Sequence, residues 1–97
     1  MERQYYVYIV ECNDNSYYTG VTNNLSLRIE QHNSKNYINS YTHKRRPVKL
    51  KFSDVFTDVK QAIKFEKQIK GWNRAKKEAL IAGNWDEIKR LSNSKKS

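Results

Sequence analysis

The chain opens with two short apolar, aromatic runs and then changes period. Tyr5-Tyr6-Val7-Tyr8-Ile9-Val10 is almost wholly β-branched or aromatic, and Tyr17-Tyr18-Thr19-Gly20-Val21-Thr22 repeats that character. Between them lie Asn13-Asp14-Asn15-Ser16, residues that favour turns and tolerate a left-handed backbone. The pattern predicts a β-hairpin. Beyond it the spacing lengthens. Leu25, Ile29 and His32 fall at i, i+4 and i+7, which predicts a helix that Asn23 or Asn24 can cap. Residues 33–47 carry no period and end in His43-Lys44-Arg45-Arg46-Pro47, a connection long enough to hint at function. Val48, Leu50 and Phe52 then alternate with Lys49, Lys51 and Ser53, which predicts a third strand with one apolar and one cationic face.

The second half reads as helical. Asp58 is placed to cap a helix running to about Trp72, with Gly71 near its end. Val59, Ala62, Ile63, Phe65, Ile69 and Trp72 share one broad arc of that helix. A shorter helix is expected over Arg74–Ala82, stopped by Gly83. Asn84-Trp85-Asp86-Glu87 resembles a capping box for a last helix, with Ile88 and Leu91 facing inward. Residues 1–91 are thus expected to form one domain, and residues 92–97 a polar tail.

Charge sharpens this picture. The net formal charge is +9, and it is unevenly spread. Residues 1–43 hold three basic and four acidic side chains, residues 44–97 sixteen and six, giving nets of −1 and +10. A polyanionic partner is expected, with nucleic acid first among the candidates; a basic charge that serves only solubility is the plain alternative. One cysteine, Cys12, excludes an intramolecular disulfide framework and a Cys-rich zinc site. No apolar run approaches the roughly 20 residues that span a bilayer, and the Tyr5–Val10 run is too short for a signal-peptide core. A cytoplasmic protein is expected.

Three groups of residues are candidates for chemistry. A three-residue hairpin loop over Asn13–Asn15 would pair Cys12 with Ser16 and Tyr8 with Gly20, placing Tyr8 and Tyr18 on one face. A two-residue loop would place them on opposite faces. Tyrosines are also simply good strand formers. Arg28 and His32 lie one turn apart on a helix whose Leu25 and Ile29 point inward, toward the hairpin. Either they meet the sheet, or they snorkel out at the helix edge. Glu66 falls inside the apolar arc of its helix, where a carboxylate must be paired or bind a metal. An i,i+4 pair with Lys70 is the plain alternative. There is no phosphate-cradling glycine loop, nucleophile elbow or zinc pattern. Tyrosines, an arginine, a histidine and a glutamate beside a basic half suit metal-assisted phosphodiester hydrolysis.

These residues resemble the paired motif of the GIY-YIG nuclease family. Tyr6-Val7-Tyr8, nine residues, then Tyr18-Thr19-Gly20 matches its order and spacing. Arg28 stands where the family arginine follows its second tyrosine, and His32 one turn later. Glu66, within Ala62–Trp72, resembles the metal-binding glutamate. Tyr41-Thr42 with Arg45-Arg46-Pro47-Val48-Lys49-Leu50 resembles a branch of small, stand-alone bacterial members. The resemblance spans about residues 4–82. Tyr6 replaces the first glycine of the name motif and Thr19 its second central residue. Asn84 could match a late family asparagine, but a helix cap also explains it.

The resemblance implies an α+β fold: a three-stranded antiparallel sheet flanked by helices. It further implies one Mg²⁺ or Mn²⁺ bound by Glu66, a tyrosine, Tyr8 or Tyr18, as general base, Arg28 clamping the phosphate and His32 relaying a proton or orienting a tyrosine. These five side chains are expected to converge on one concave surface. The implied activity is DNA endonuclease, in repair or recombination, on duplex or branched DNA. The alternatives are a nucleic-acid-binding module with little turnover and an RNA-directed protein. Lys44, Arg45, Arg46, Lys49, Lys51, Lys70 and Arg74 are expected to contact phosphates. Targeting is left to that basic surface or to a protein partner.

Overall fold

The computed structural model describes residues 3–34 and 41–93. The remainder of the expected loop and the last four residues of the expected tail lie outside the described residues. Seven elements follow in order: β1 (Tyr5–Glu11), β2 (Tyr17–Thr22), α1 (Leu25–His32), β3 (Lys49–Phe56), α2 (Val59–Lys70), α3 (Arg74–Ile81) and α4 (Trp85–Asn93). The strands form one antiparallel sheet in the order β2-β1-β3, so the fold is α+β, as expected. Helix α4 runs two residues past Leu91, into the segment expected to be tail. Among the described residues, no helix is long and apolar enough to cross a membrane.

The hairpin register is that of the three-residue loop. The Cys12 N–H donates to Ser16 O at 2.8 Å and the Asn15 N–H to Cys12 O at 2.9 Å. Asn15 adopts φ 68°, the left-handed region that asparagine tolerates better than most residues. Tyr8 therefore pairs with Gly20, and Val10 with Tyr18. Parity places Tyr8, Val10 and Tyr18 on one face, and Val7 and Ile9 on the other.

Each face has its own core. On one, Val7 and Ile9 pack with Ala62 and Ile69 of α2, Ala79 and Leu80 of α3 and Ile88 of α4. On the other, Tyr8, Val10, Cys12 and Val48 pack with Tyr18, Leu25, Ile29 and Tyr41. Central strand β1 is covered on both sides, and Val7 to Val10 are fully buried. Burying such side chains is worth about 1.5–3 kcal/mol each.

Strand β3 departs from its expected alternation. Ile9 pairs with Phe52 but Val10 with Leu50, so Lys51 is an extra residue in β3. Side-chain parity flips there. Val48 joins the Tyr8 core, whereas Phe52 and Phe56 join the Val7 core. Val48, Leu50 and Phe52 do not share one apolar face, and Leu50 is 42% exposed. On α2, the expected arc is buried at Ala62 and Ile69, while Val59 and Ile63 lie at its margin, each 39% exposed.

The helix boundaries follow their caps. Asn24 Oδ1 accepts from Leu27 N, Asp58 from Lys60 N and Asn73 from Lys76 N. Gly83, at φ 72°, ends α3 as expected. Asn84 Oδ1 accepts from Glu87 N at 3.1 Å, so its side chain serves as the α4 cap.

Candidate active site

The Tyr8 face of the sheet and the last turn of α1 enclose a buried polar chain. Asn24 starts α1 directly after β2, and eight residues later the helix delivers His32 over the strand pair. The Tyr8 hydroxyl lies 2.8 Å from His32 Nε2. On the far side of the ring, His32 Nδ1 lies 2.9 Å from Thr42 Oγ1. Tyr8 and Thr42 are fully buried, and His32 is 1% exposed. A buried imidazole with both nitrogens engaged satisfies the polar groups that burial would otherwise penalise.

Tyr18 completes the cluster. Its ring stands edge-on to His32 with centroids 5.4 Å apart, and 6.5 Å from Tyr8. The Tyr41 ring packs against it at 5.6 Å. Tyr18 is half-buried, so it lies nearer solvent than Tyr8. Gly20 explains how the hydroxyl of Tyr8 reaches the imidazole: the Tyr8 ring crosses the β2 backbone at the glycine opposite it. Arg28 sits one helical turn before His32 and is half-buried. Among the described residues its guanidinium has no hydrogen bond or ion pair. Burial first, and then the Arg28 charge, lower the His32 pKa below the ordinary 6.5. His32 is accordingly neutral at pH 7, one nitrogen donating and the other accepting.

Glu66 occupies a different position. Helix α2 covers the opposite face of the sheet through Ala62 and Ile69. Glu66 is largely buried, its side chain 12% exposed, and pairs with Lys70 Nζ at 3.6 Å. Tyr8, Tyr18 and Arg28 thus lie near His32, and Glu66 stands on the helix whose Ala62 and Ile69 pack against the Val7 face. Among the described residues, no group of three or more His, Cys, Asp or Glu side chains forms a metal cage. A single carboxylate matches the way Mg²⁺ binds, through one or two carboxylates, water and substrate phosphate oxygens.

The basic side chains expected on phosphates divide into braces and exposed cations. Arg45 Nε meets Asp14 Oδ2 at 2.9 Å, its Nη1 donates to Tyr41 O at 2.7 Å, and its guanidinium lies 4.2 Å from the Tyr41 ring centroid. Arg46 Nε donates to His43 O at 2.9 Å. Arg74 pairs with Glu78 at 3.1 Å, donates to Asn15 O at 2.6 Å and stacks 4.3 Å from the Tyr17 centroid. These three arginines, expected on phosphates, spend donors on the fold itself. Lys51 lies 3.9 Å from Glu11, and Lys70 pairs with Glu66. Lys44 and Lys49 are exposed, Lys49 beside a cleft of about 130 Å³ that Glu11, Cys12 and Pro47 help line. Burial raises the Cys12 thiol above its ordinary value, so it is a weak nucleophile there.

Thr42 and Tyr41 are site residues to which sequence reasoning assigned no role. Tyr41-Thr42 enters the sequence reading only as part of the family resemblance, and only the fold brings the Thr42 hydroxyl to His32.

Known proteins share this arrangement of sequence and fold. The sequence profile of the GIY-YIG catalytic domain matches residues 4–79. A UPF0213 protein of Syntrophus aciditrophicus is 46% identical over 79 residues, covering 81% of this chain and 91% of its own. A UPF0213 protein of Halobacterium salinarum is 40% identical, covering 79% of this chain and 99% of its own. The solution NMR structure of a UPF0213 protein from Bacillus halodurans superposes with a TM-score of 0.54 at 36% identity. That match covers 92% of this chain and 97% of the other.

Proposed function

The chain belongs to the GIY-YIG catalytic domain family, and from that premise we propose that it is a divalent-metal-dependent endonuclease that hydrolyses phosphodiester bonds in DNA. The observation that carries this reading is the buried Tyr8–His32 contact at 2.8 Å with Tyr18 packed against the same ring. A phenol held on a neutral imidazole is a proton acceptor in waiting. As Tyr8 takes a proton from the attacking water, its own proton passes to His32 Nε2. No free phenolate is needed, which removes the difficulty of ionising a group with a pKa near 10. Tyr8 is wholly buried, so substrate entry must uncover its hydroxyl, with half-buried Tyr18 beside it.

Arg28 is the phosphate clamp. Its guanidinium, unengaged among the described residues, presents a fork suited to two phosphate oxygens. A phosphate docked there offsets the charge that disfavours protonated His32, so substrate binding makes the imidazole a better proton acceptor. Glu66 would hold the Mg²⁺ or Mn²⁺, which supplies charge stabilisation on the phosphate and leaving oxygens. A place in DNA repair or recombination accords with this activity, with targeting by the basic surface or by a protein partner.

A second reading, a nucleic-acid-binding module with the nuclease fold and little turnover, has one observation in its favour: Glu66 lies on the helix that covers the sheet face opposite Tyr8. One assay separates the two. Purified protein is incubated with supercoiled plasmid and with branched DNA, in Mg²⁺, Mn²⁺ or chelator. Metal-dependent nicking that Tyr8→Phe abolishes supports the endonuclease. Binding without nicking in either metal supports the module.

A further inference from the structure

We infer that Thr42 is a positioning residue of this site: it holds His32 in the tautomer protonated on Nδ1, so that Nε2 accepts from the Tyr8 hydroxyl. The bearing of this on turnover rests on the nuclease reading above; the tautomer itself does not.

The two ring nitrogens of His32 face two hydroxyls, Tyr8 at 2.8 Å and Thr42 at 2.9 Å. A neutral imidazole donates through one nitrogen and accepts through the other, so the proton sits on Nδ1 or on Nε2. The chemistry of the hydroxyls decides which. A phenol, with a pKa near 10, is a far stronger donor than an aliphatic alcohol and a weaker acceptor. The favourable pairing gives the phenolic O–H to Nε2 and the Nδ1–H to the Thr42 oxygen. The opposite pairing would ask the weaker donor to donate and the poorer acceptor to accept. It would also aim Nε2–H at Tyr8, so that Tyr8 could not pass its proton on.

Thr42 is held where this requires it. Its carbonyl accepts from Arg45 N at 2.9 Å. Arg45 binds back to Tyr41 O and to Asp14, while Asn13 N donates to Arg45 O at 2.8 Å. The Tyr41–Arg45 turn is therefore fastened to the tip of the β1–β2 hairpin, the element that carries both tyrosines. The hydroxyl that sets the imidazole and the phenol that uses it are tied to one frame. Fixing the far nitrogen of a working histidine in this way is a recognised means of setting its tautomer.

Long-range ¹H–¹⁵N NMR on the ¹⁵N-labelled full chain at neutral pH reads the tautomer directly. The chain has two histidines, so His43→Gln assigns the signals. The wild type is expected to show His32 protonated on Nδ1. Thr42→Val keeps the shape and deletes the hydroxyl; it should move the proton to Nε2 or give a mixture, and lower the nicking rate about 10–100-fold. Thr42→Ser should restore both the tautomer and most of the rate. A wild-type His32 protonated on Nε2 would overturn the inference, even if Thr42→Val does not fold. So would a folded Thr42→Val protein that keeps its proton on Nδ1. Absence of nicking by the wild type would defeat the nuclease reading instead, and the tautomer measurement would still stand.

Discussion

Gly20 leaves no room for a side chain because Tyr8 occupies its space: a Cβ at Gly20 would lie 2.5 Å from the Tyr8 hydroxyl oxygen and 2.6 Å from Cζ. The glycine serves close approach, and the ring it admits reaches His32.

Gly20→Ala should therefore act through Tyr8. The methyl group must push the phenol off its line to His32, with an overpacking cost of about 1–3 kcal/mol. The expected outcome is a lower melting temperature and loss of nicking in a protein that still folds. Unchanged nicking would show that the Tyr8–His32 contact is dispensable.

Acid should weaken the fold through His32. Its pKa is lowered in the folded state, so the unfolded chain binds the proton more readily. The resulting stabilisation is complete above the unfolded value near 6.5 and is lost as pH falls below it. The slope should approach about 1.4 kcal/mol per pH unit for one proton. Urea midpoints at pH 7, 6 and 5 measure it, and His32→Gln should flatten the curve. Nicking should fall with the same protonation, because a charged imidazole cannot accept from Tyr8.

Glu66→Ala should abolish metal-dependent cleavage and leave DNA binding nearly intact. Losing an electrostatic element of this kind typically costs about 10²–10³ in rate or more. The fold should survive, since removing a buried carboxylate relieves a desolvation cost even as it leaves a small void. If Glu66 serves only as the partner of Lys70, the variant will lower melting temperature and nick at the wild-type rate.

Exposed and engaged cations should behave differently in DNA titrations. Removing one lysine–phosphate pairing should lower the log–log salt slope by roughly 0.9 on duplex DNA. Lys44→Ala and Lys49→Ala are expected to do this with little change in stability. Arg45→Ala should mainly lower melting temperature, because it unfastens Asp14 and the Tyr41 turn together. An unchanged slope in Lys44→Ala/Lys49→Ala would exclude both lysines from the DNA interface.

Local chemistry made much of this fold readable. The asparagine-rich run marks the hairpin turn, though not the loop length that puts Tyr8 and Tyr18 on one face, and Asp58, Asn84 and the Asn23-Asn24 pair mark where helices begin. What escaped depends on partners distant in the chain. The basic run around Arg45 reads as a phosphate-binding stretch until Asp14, 31 residues away, is brought beside it. Helical spacing puts Arg28 and His32 on one face but leaves open whether they meet the sheet or snorkel, and it gives no sign that Thr42 lies behind the imidazole. Glu66 is legible as a buried carboxylate, whereas the face of the sheet it approaches is a matter of tertiary packing alone.

The extra residue at Lys51 makes β3 a seam, with Val48 stitched into the Tyr8 core and Phe52 into the Val7 core. Length at this point matters more than identity. Any side chain at position 51 keeps the two halves in phase with their separate cores, so substitutions there should be mild. Deleting the residue would turn one half of the strand over, exposing Phe52 and Phe56 or expelling Val48 from beneath Tyr8. The chain therefore tolerates no frame slip here, and Lys51, whose ion pair with Glu11 is long at 3.9 Å, becomes the spacer on which both cores depend.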